Sequence, residues 1–209
     1  MRSAIYSRLE GKMSKIKLSI LICTVPERTI TLDELIIDLN HQIGAGPIEF
    51  KYLGDNKRQS VGSKRKDLLA IARGEWLCFV DDDDFVHENF VEIALNAIDS
   101  NPDKKVICFT GTQTTNGNAD LGFKFNRKYG SNMRITDEGP QFRGMIPNHL
   151  CIWKSDIARR EKFPDINLTE DHRWASAMMD HYTEDDQVLL PDSLYHYEYN
   201  KMTSQCRRG

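Results

Sequence analysis

What this chain lacks narrows it quickly. No stretch approaches the roughly 18 uninterrupted apolar residues that a membrane-crossing helix needs, and no signal peptide is evident. The five cysteines (Cys23, Cys78, Cys108, Cys151 and Cys206) contain no CxxC pair, so neither a zinc site nor a disulfide framework is expected. All but Cys206 lie inside apolar runs, which suits reduced, buried thiols in a cytoplasmic protein. An excess of positive charge is missing too. With a net charge of -3 and a pI near 6.1, there is no global pull towards nucleic acid or membrane surfaces, and any such affinity must be local. Glycine-rich phosphate loops, internal repeats and low-complexity linkers are also absent.

What is present suffices for one core. A chain of 209 residues that is 40% hydrophobic can build one domain and is short for two. Residues 1–14 are polar and unpatterned, and read as a disordered arm or tag. Residues 15–209 read as a single domain, with 15–110 a nucleotide-binding half and 111–209 an acceptor-binding half.

Strands and helices alternate through the first half. Lys17 to Cys23 (KLSILIC) is a near-continuous apolar run, as in a central parallel strand covered on both faces. A proline-punctuated loop follows, then Thr31-Leu-Asp-Glu34 with capping-box spacing and a helical face of Leu32, Leu35, Ile36, Leu39 and Ile43. Ile48 to Leu53 is a second strand, and Ser60 to Ala72 a helix closed by Gly74. A third strand runs from Glu75 to Val80. The helix after it carries Phe90, Val91, Ala94, Leu95 and Ile98, and Lys105 to Thr110 is a fourth strand. Such alternation predicts βαβ units on a mainly parallel sheet. The second half is less regular: a hairpin within 111–144, a strand from His149 to Trp153, a helix from Asp171 to His181, and a late strand from Asp192 to Tyr199.

The chain is organised around Asp81 to Asp84. An apolar strand ends abruptly in four consecutive carboxylates, which repel one another unless a cation or a shifted pKa relieves them. At the carboxyl end of a buried strand, where open α/β sheets place their ligand crevice, a divalent cation is the natural relief. A solvated acidic turn is the alternative. Asp55 and Glu170-Asp171 also fall at element boundaries. Metal-bound carboxylates can stabilise a departing diphosphate, and a separate carboxylate can take a proton from an attacking hydroxyl. That combination suits group transfer from a nucleoside diphosphate.

These residues resemble the metal-dependent GT-A glycosyltransferases, specifically the inverting group called family 2, from about Lys17 to Gln205. KLSILICTVPERT resembles the first strand and donor-loop entry of that family. Gly54-Asp55 sits where the family pairs an Asp with the nucleobase. The segment from Ser60 to Asp84 follows its helix, strand and DxD pattern, and Thr169-Glu170-Asp171 resembles its TED motif. The QxxRW motif of processive, membrane-embedded members is missing, since Gln205 is followed by Cys206-Arg207-Arg208. The resemblance implies a Rossmann-like nucleotide-diphospho-sugar transferase sandwich and a single-addition enzyme using Mn²⁺ or Mg²⁺. It implies that Asp55 contacts the base in a pocket lined by Thr24, Pro26 and Arg28. Asp81 would touch ribose or metal, Asp82 would belong to the donor site, and Asp83 would be the main metal ligand, with the register of Asp84 left open. Arg65 would lie near the donor. Asp171 would be the general base and Glu170 would orient it or bind substrate. His196, in Tyr195-His196-Tyr197, would be an extra metal or diphosphate contact, or else a half-buried strand histidine. Asn148 and His149 fall on the acceptor side; Lys64 and Lys66 read as a solvated helix face, and Trp174 as core.

The donor is then a nucleotide sugar, with a UDP-sugar favoured. The acceptor stays open between a glycan, a lipid-linked sugar and modified DNA. The last is suggested by aromatics interleaved with basic residues in Phe123 to Tyr129, near Arg134 and Arg143. Two other readings compete: a nucleotidyltransferase of similar fold, and an inactive module that binds nucleotide sugar or nucleic acid.

Overall fold

The computed structural model describes residues 15–43, 46–119, 121–130, 134–136 and 139–199. The expectations for the arm at 1–14, for Cys206 and for the segment after Gln205 lie outside them. The four described cysteines are free and buried. No helix among the described residues is long and apolar enough to cross a membrane.

Strand β1 (Leu18–Thr24) is buried along its whole length and lies between β2 (Ile48–Gly54) and β3 (Trp76–Phe79), parallel to both. Its continuous apolar run follows from that placement, because helices cover both faces of a parallel sheet. The helices are α1 (Thr29–Ile43), α2 (Val61–Ile71) and α3 (Phe90–Ser100). Helix α1 does not start at the expected Thr31 box. Pro26 opens a 3-10 turn, Pro26–Arg28, that runs straight into the helix, and the carbonyls of Pro26 and Arg28 accept the hydroxyls of Thr29 and Thr31. Leu32, Leu35 and Leu39 are buried as expected. Ser60 caps α2 by accepting the Ser63 N–H at 3.0 Å.

Beyond the acidic run lie β4 (Phe85–Val86) and β5 (Val106–Thr115). An Asn116-Gly117 turn with both φ positive joins β5 to β6 (Asn118–Ala119), the hairpin foreseen for this region. Then follow β7 (Gly122–Phe125), β8 (Arg134–Thr136), β9 (Gly139–Met145), β10 (Ile152–Lys154), α4 (Ser155–Ala158), α5 (Glu170–Met178) and β11 (Gln187–Tyr199).

The sheet order is β2-β1-β3-β10-β5-β7-β9-β8, with β11 pairing parallel to β5 and antiparallel to β4. Strand β10 enters antiparallel between β3 and β5, so the third and fourth strands of the first half are not neighbours. This mixed α/β architecture, parallel through its first half, brings the second half of the chain against the end of β3. An aromatic cluster anchors that junction: Trp174 of α5 stacks on Phe163 with centroids 4.7 Å apart and meets Trp153 of β10 edge-on.

Candidate active site

The acidic run is a tight turn directly after β3. The Asp84 N–H donates to the Asp81 carbonyl at 3.2 Å, which leaves Asp82 and Asp83 at its tip. Each carboxylate has its own surroundings. Asp84 is 2% exposed and accepts from the Tyr195 hydroxyl at 2.7 Å and the Glu198 N–H at 2.9 Å. Burial, with the charges of Asp81 and Asp83, pushes its pKa well above the ordinary range. It fastens the turn to β11. The Tyr195 oxygen also accepts the Asp81 N–H at 3.0 Å.

Asp82 accepts from Arg28 Nη1 at 2.6 Å, while its Oδ2 is buried with no hydrogen-bond partner, and burial raises its pKa. Asp83 Oδ2 lies 2.7 Å from Arg28 Nη2. Burial, aided by Asp81 and Asp82 against the pull of Arg28, pushes Asp83 up to about 6. Asp81 is the opposite case. Burial disfavours its charge, but Arg65 (3.0 Å), His149 (3.5 Å) and Arg28 outweigh it and hold the carboxyl well below the usual range.

Arg65 ties this turn to the start of α5. Its guanidinium is buried against the rings of Phe79 and Phe163, with Nη2 on Asp81 and Nε 3.4 Å from Glu170 Oε1. Glu170 is itself buried, and burial with the neighbouring Asp171 charge raises its pKa against Arg65 and His149. Asp171 is different: its side chain is 36% exposed and it lines a cleft of about 510 Å³ shared with Asp81, Asp82, Asp83 and Arg28. Between the two acidic groups stands His149, 4% exposed. Its Nε2 lies 3.5 Å from Asp81 and its Nδ1 3.9 Å from Asp171, and neither nitrogen has a hydrogen-bond partner. Thr169, just before α5, holds φ at 64°, a left-handed conformation uncommon for a β-branched residue.

A second cleft, of about 560 Å³, opens on the other side of the 3-10 turn and is lined by Thr24, Pro26, Thr29, Asp55 and Arg58. Asp55 is oriented in advance. Its Oδ2 accepts the N–H groups of Arg58 and Gln59 at 2.6 and 2.7 Å, and its Oδ1 lies 3.1 Å from the Lys64 ammonium. Against the cost of burial, the Gln59 N–H and Lys64 lower its pKa.

Several expectations need correcting. Lys64 is no solvated helix residue: it is 2% exposed and donates to the Thr24 carbonyl at 2.9 Å, because α2 packs over the end of β1. Lys66 is exposed as foreseen. Arg28 lines the carboxylate cleft rather than the Asp55 cleft. His196 lines neither of these two clefts; its ring nitrogens sit 2.8 and 3.3 Å from the hydroxyls of Thr112 and Thr114, the surroundings of a strand histidine rather than of the acidic run. Alternation along a strand explains why, since Tyr195 and Tyr197 take the other face of β11. The role of Tyr195 was missed for the same reason, although that alternation was readable. In the aromatic-basic segment, Phe123, Phe125 and Tyr129 are buried, and Arg127 donates to the carbonyls of Tyr182 and Met179. Phe125 and Tyr129 belong to the core, while Phe123, though buried, also lines the cleft of the acidic run. The Arg134 side chain lies outside the described residues, while Arg143 lines the cleft.

Among the described residues, no group of three or more His, Cys, Asp or Glu side chains forms a ready metal cage. The oxygen-only donors still suit a hard divalent cation held by part of its shell. Asp83 reaches the cleft beside Asp81 and Asp82, and Asp82 Oδ2 is an orphaned buried acceptor.

A model of the family described as glycosyl transferase family 2 matches residues 36–166, well over half of the chain. Among solved structures, the chain is similar to TarS of S. aureus. Against TarS 1–349 the TM-score is 0.57 at 16% identity, covering 87% of this chain and 60% of that one. Against its complex with UDP-GlcNAc the TM-score is 0.61 at 15% identity, with 87% and 58% covered. Against the UDP complex it is 0.61 at 14%, with 87% and 60% covered. At these identities the likeness shows a shared fold, and the chain spans about three-fifths of that protein fragment. No match is found among the curated proteins.

Proposed function

The chain belongs to glycosyl transferase family 2, and from that premise we propose that it moves a sugar from a nucleoside-diphosphate donor to an acceptor hydroxyl, with inversion at the anomeric carbon. One observation carries the reading. Two clefts meet at the end of β1 and its 3-10 turn; one holds a pre-oriented carboxylate, Asp55, and the other holds the acidic run facing a separate accessible carboxylate, Asp171. A nucleotide sugar laid across that wall puts its base by Asp55, its diphosphate by Arg28 and Asp83, and its sugar between Asp81 and Asp171.

The residues then divide the work. Asp55, locked by two N–H groups and Lys64, offers a fixed acceptor edge to an N–H of the base. Asp81, kept ionised by Arg65 and His149, accepts from hydroxyls of the ribose or the sugar. Asp171 takes the proton of the acceptor hydroxyl as its oxygen attacks the anomeric carbon. The bond from that carbon to the diphosphate oxygen breaks on the opposite face, and its electron pair leaves with the diphosphate. Arg65 and Glu170 keep Asp171 and Asp81 in mutual register. Asp83, with Asp82 behind it, would hold Mn²⁺ or Mg²⁺, which when bound neutralises charge on the leaving diphosphate.

UDP is the first nucleotide to try, because the TarS structures of the same fold include complexes with UDP-GlcNAc and UDP. On the acceptor side the wall carries Gln113, Phe123, Arg143, Asn148 and Tyr197, a mixed polar and aromatic lining that favours a hydroxyl-rich glycan over a nucleic acid. The test is thermal stabilisation by UDP, GDP, CDP and TDP, each with Mn²⁺ and with EDTA. Ligand at about 100 times its dissociation constant adds roughly 2.7 kcal/mol. A metal-dependent shift with UDP is expected; no shift with any nucleotide at millimolar ligand and metal defeats the reading.

A further inference from the structure

Arg28 stands where the two clefts meet. It ends the 3-10 turn whose Pro26 lines the Asp55 cleft, while Arg28 itself lines the cleft of the acidic run. Its planar guanidinium uses both prongs, donating to Asp82 Oδ1 at 2.6 Å and lying 2.7 Å from Asp83 Oδ2. The Arg28 side chain is 14% exposed and that of Asp82 2%, so this is a largely desolvated fork and not a loose surface pair. Asp83 is also the carboxylate that the donor reading gives to the divalent cation. Two cations this close, away from bulk water, repel strongly. The guanidinium and a metal ion therefore compete for one carboxylate.

We propose that Arg28 is a built-in counter-ion that keeps the acidic run closed to a free divalent cation and yields it when a nucleoside diphosphate arrives. The diphosphate passes Arg28 in crossing from one cleft to the other, and it offers the guanidinium a second bidentate partner of the same geometry. Once the fork has moved to the phosphate oxygens, Asp83 is free to share the cation. The ligand taken up is then the nucleoside diphosphate and its cation as one unit. This inference rests on the donor reading and adds the order in which its parts enter.

The test titrates Mn²⁺ into the full chain without nucleotide, read by loss of the free-ion EPR signal, for wild type, R28Q and R28K. The series is repeated with UDP. Wild type without nucleotide is expected to hold Mn²⁺ at least tenfold more weakly than R28Q. UDP raises the Mn²⁺ affinity of wild type at least tenfold, and the gain in R28Q is at least threefold smaller, as reciprocal coupling requires. R28K keeps a cation against buried Asp82 but lacks the fork; it falls between the two and serves in place of R28Q should circular dichroism show that variant unfolded. Equal Mn²⁺ affinity of nucleotide-free wild type and both variants, with UDP and Mn²⁺ still binding wild type together, overturns the proposal alone. A wild type that binds no UDP with or without Mn²⁺ overturns the donor reading, and the proposal with it.

Discussion

Asp171 and Asp83 are both cleft carboxylates, yet their surroundings set them different tasks. Asp171 projects from the first turn of α5 with a third of its side chain open, free to meet an acceptor hydroxyl. Replacing it with Asn keeps shape and removes the proton acceptor. Transfer is expected to fall by about 10²–10⁴, while UDP affinity measured by calorimetry stays within about twofold; unchanged turnover takes Asp171 out of the mechanism. Asp83 titrates near 6 in the folded chain, above its unfolded value. The native state therefore binds more protons than the unfolded one between about pH 4 and 6, and stability falls as pH rises through that window. The loss is on the order of 2–3 kcal/mol. Urea denaturation of the metal-free protein at pH 4.5, 6 and 7.5 is expected to show a fall in stability with pH to which Asp82, Asp84 and Glu170 also contribute, and the fall is smaller by about this amount in Asp83→Asn. An unchanged slope in the variant takes Asp83 out of the linkage. Residue types made these positions visible in the sequence, because carboxylates at strand and helix ends are conspicuous. Partners were not visible. Nothing local says that Lys64 turns inward to Asp55, or that Arg28 reaches 54 positions along the chain to Asp82.

At the level of elements, α2 does most of the positioning. It carries Lys64 to the Asp55 cleft and Arg65 to the acidic turn, so its distance from the loop before α5 matters. Gly62 sets that distance: an added Cβ would stand 1.8 Å from the Pro164 carbonyl oxygen, a backbone atom that cannot swing aside. Its N–H donates to the Ile166 carbonyl at 3.1 Å. Gly62→Ala is expected to cost about 3 kcal/mol by chemical denaturation and to weaken UDP binding through displaced Lys64 and Arg65; wild-type stability in that variant refutes the close-packing argument. The elements themselves were largely readable from periodicity, with β1, β2 and α3 nearly at their expected bounds. Helix α1 began early because the 3-10 turn at Pro26 merges with it. Strand β11 began five residues early because its edge pairs with β5, a partner far away in sequence.

At the scale of the whole molecule, the chain closes on itself through Tyr195. Its hydroxyl donates to Asp84 and accepts from the Asp81 N–H, linking β11 to a turn more than a hundred residues earlier. Tyr195→Phe would leave a buried N–H without its acceptor and a buried carboxyl without one of its donors. The expected loss is about 1–3 kcal/mol with weaker nucleotide binding, since Asp81 loses its backbone anchor. Denaturation together with UDP titration checks this, and a variant unchanged in both measurements shows that the closure is dispensable. The antiparallel entry of β10 belongs to this scale as well. It delivers His149 between Asp81 and Asp171, and a short apolar strand carries no mark of which neighbours it will choose.

The fold class, the family resemblance and the place of the acidic turn were all legible in the order of residues alone. Those rest on local patterns: an apolar run, a helical period, carboxylates at an element's end. Which charges face each other was set by how the chain packs. That outcome depends on burial and on contacts between residues 16 to 114 positions apart: Arg65, His149 and Arg28 hold Asp81 ionised against the cost of burial, desolvation lifts Asp83 and Asp84, and Arg28 lies across Asp82 and Asp83.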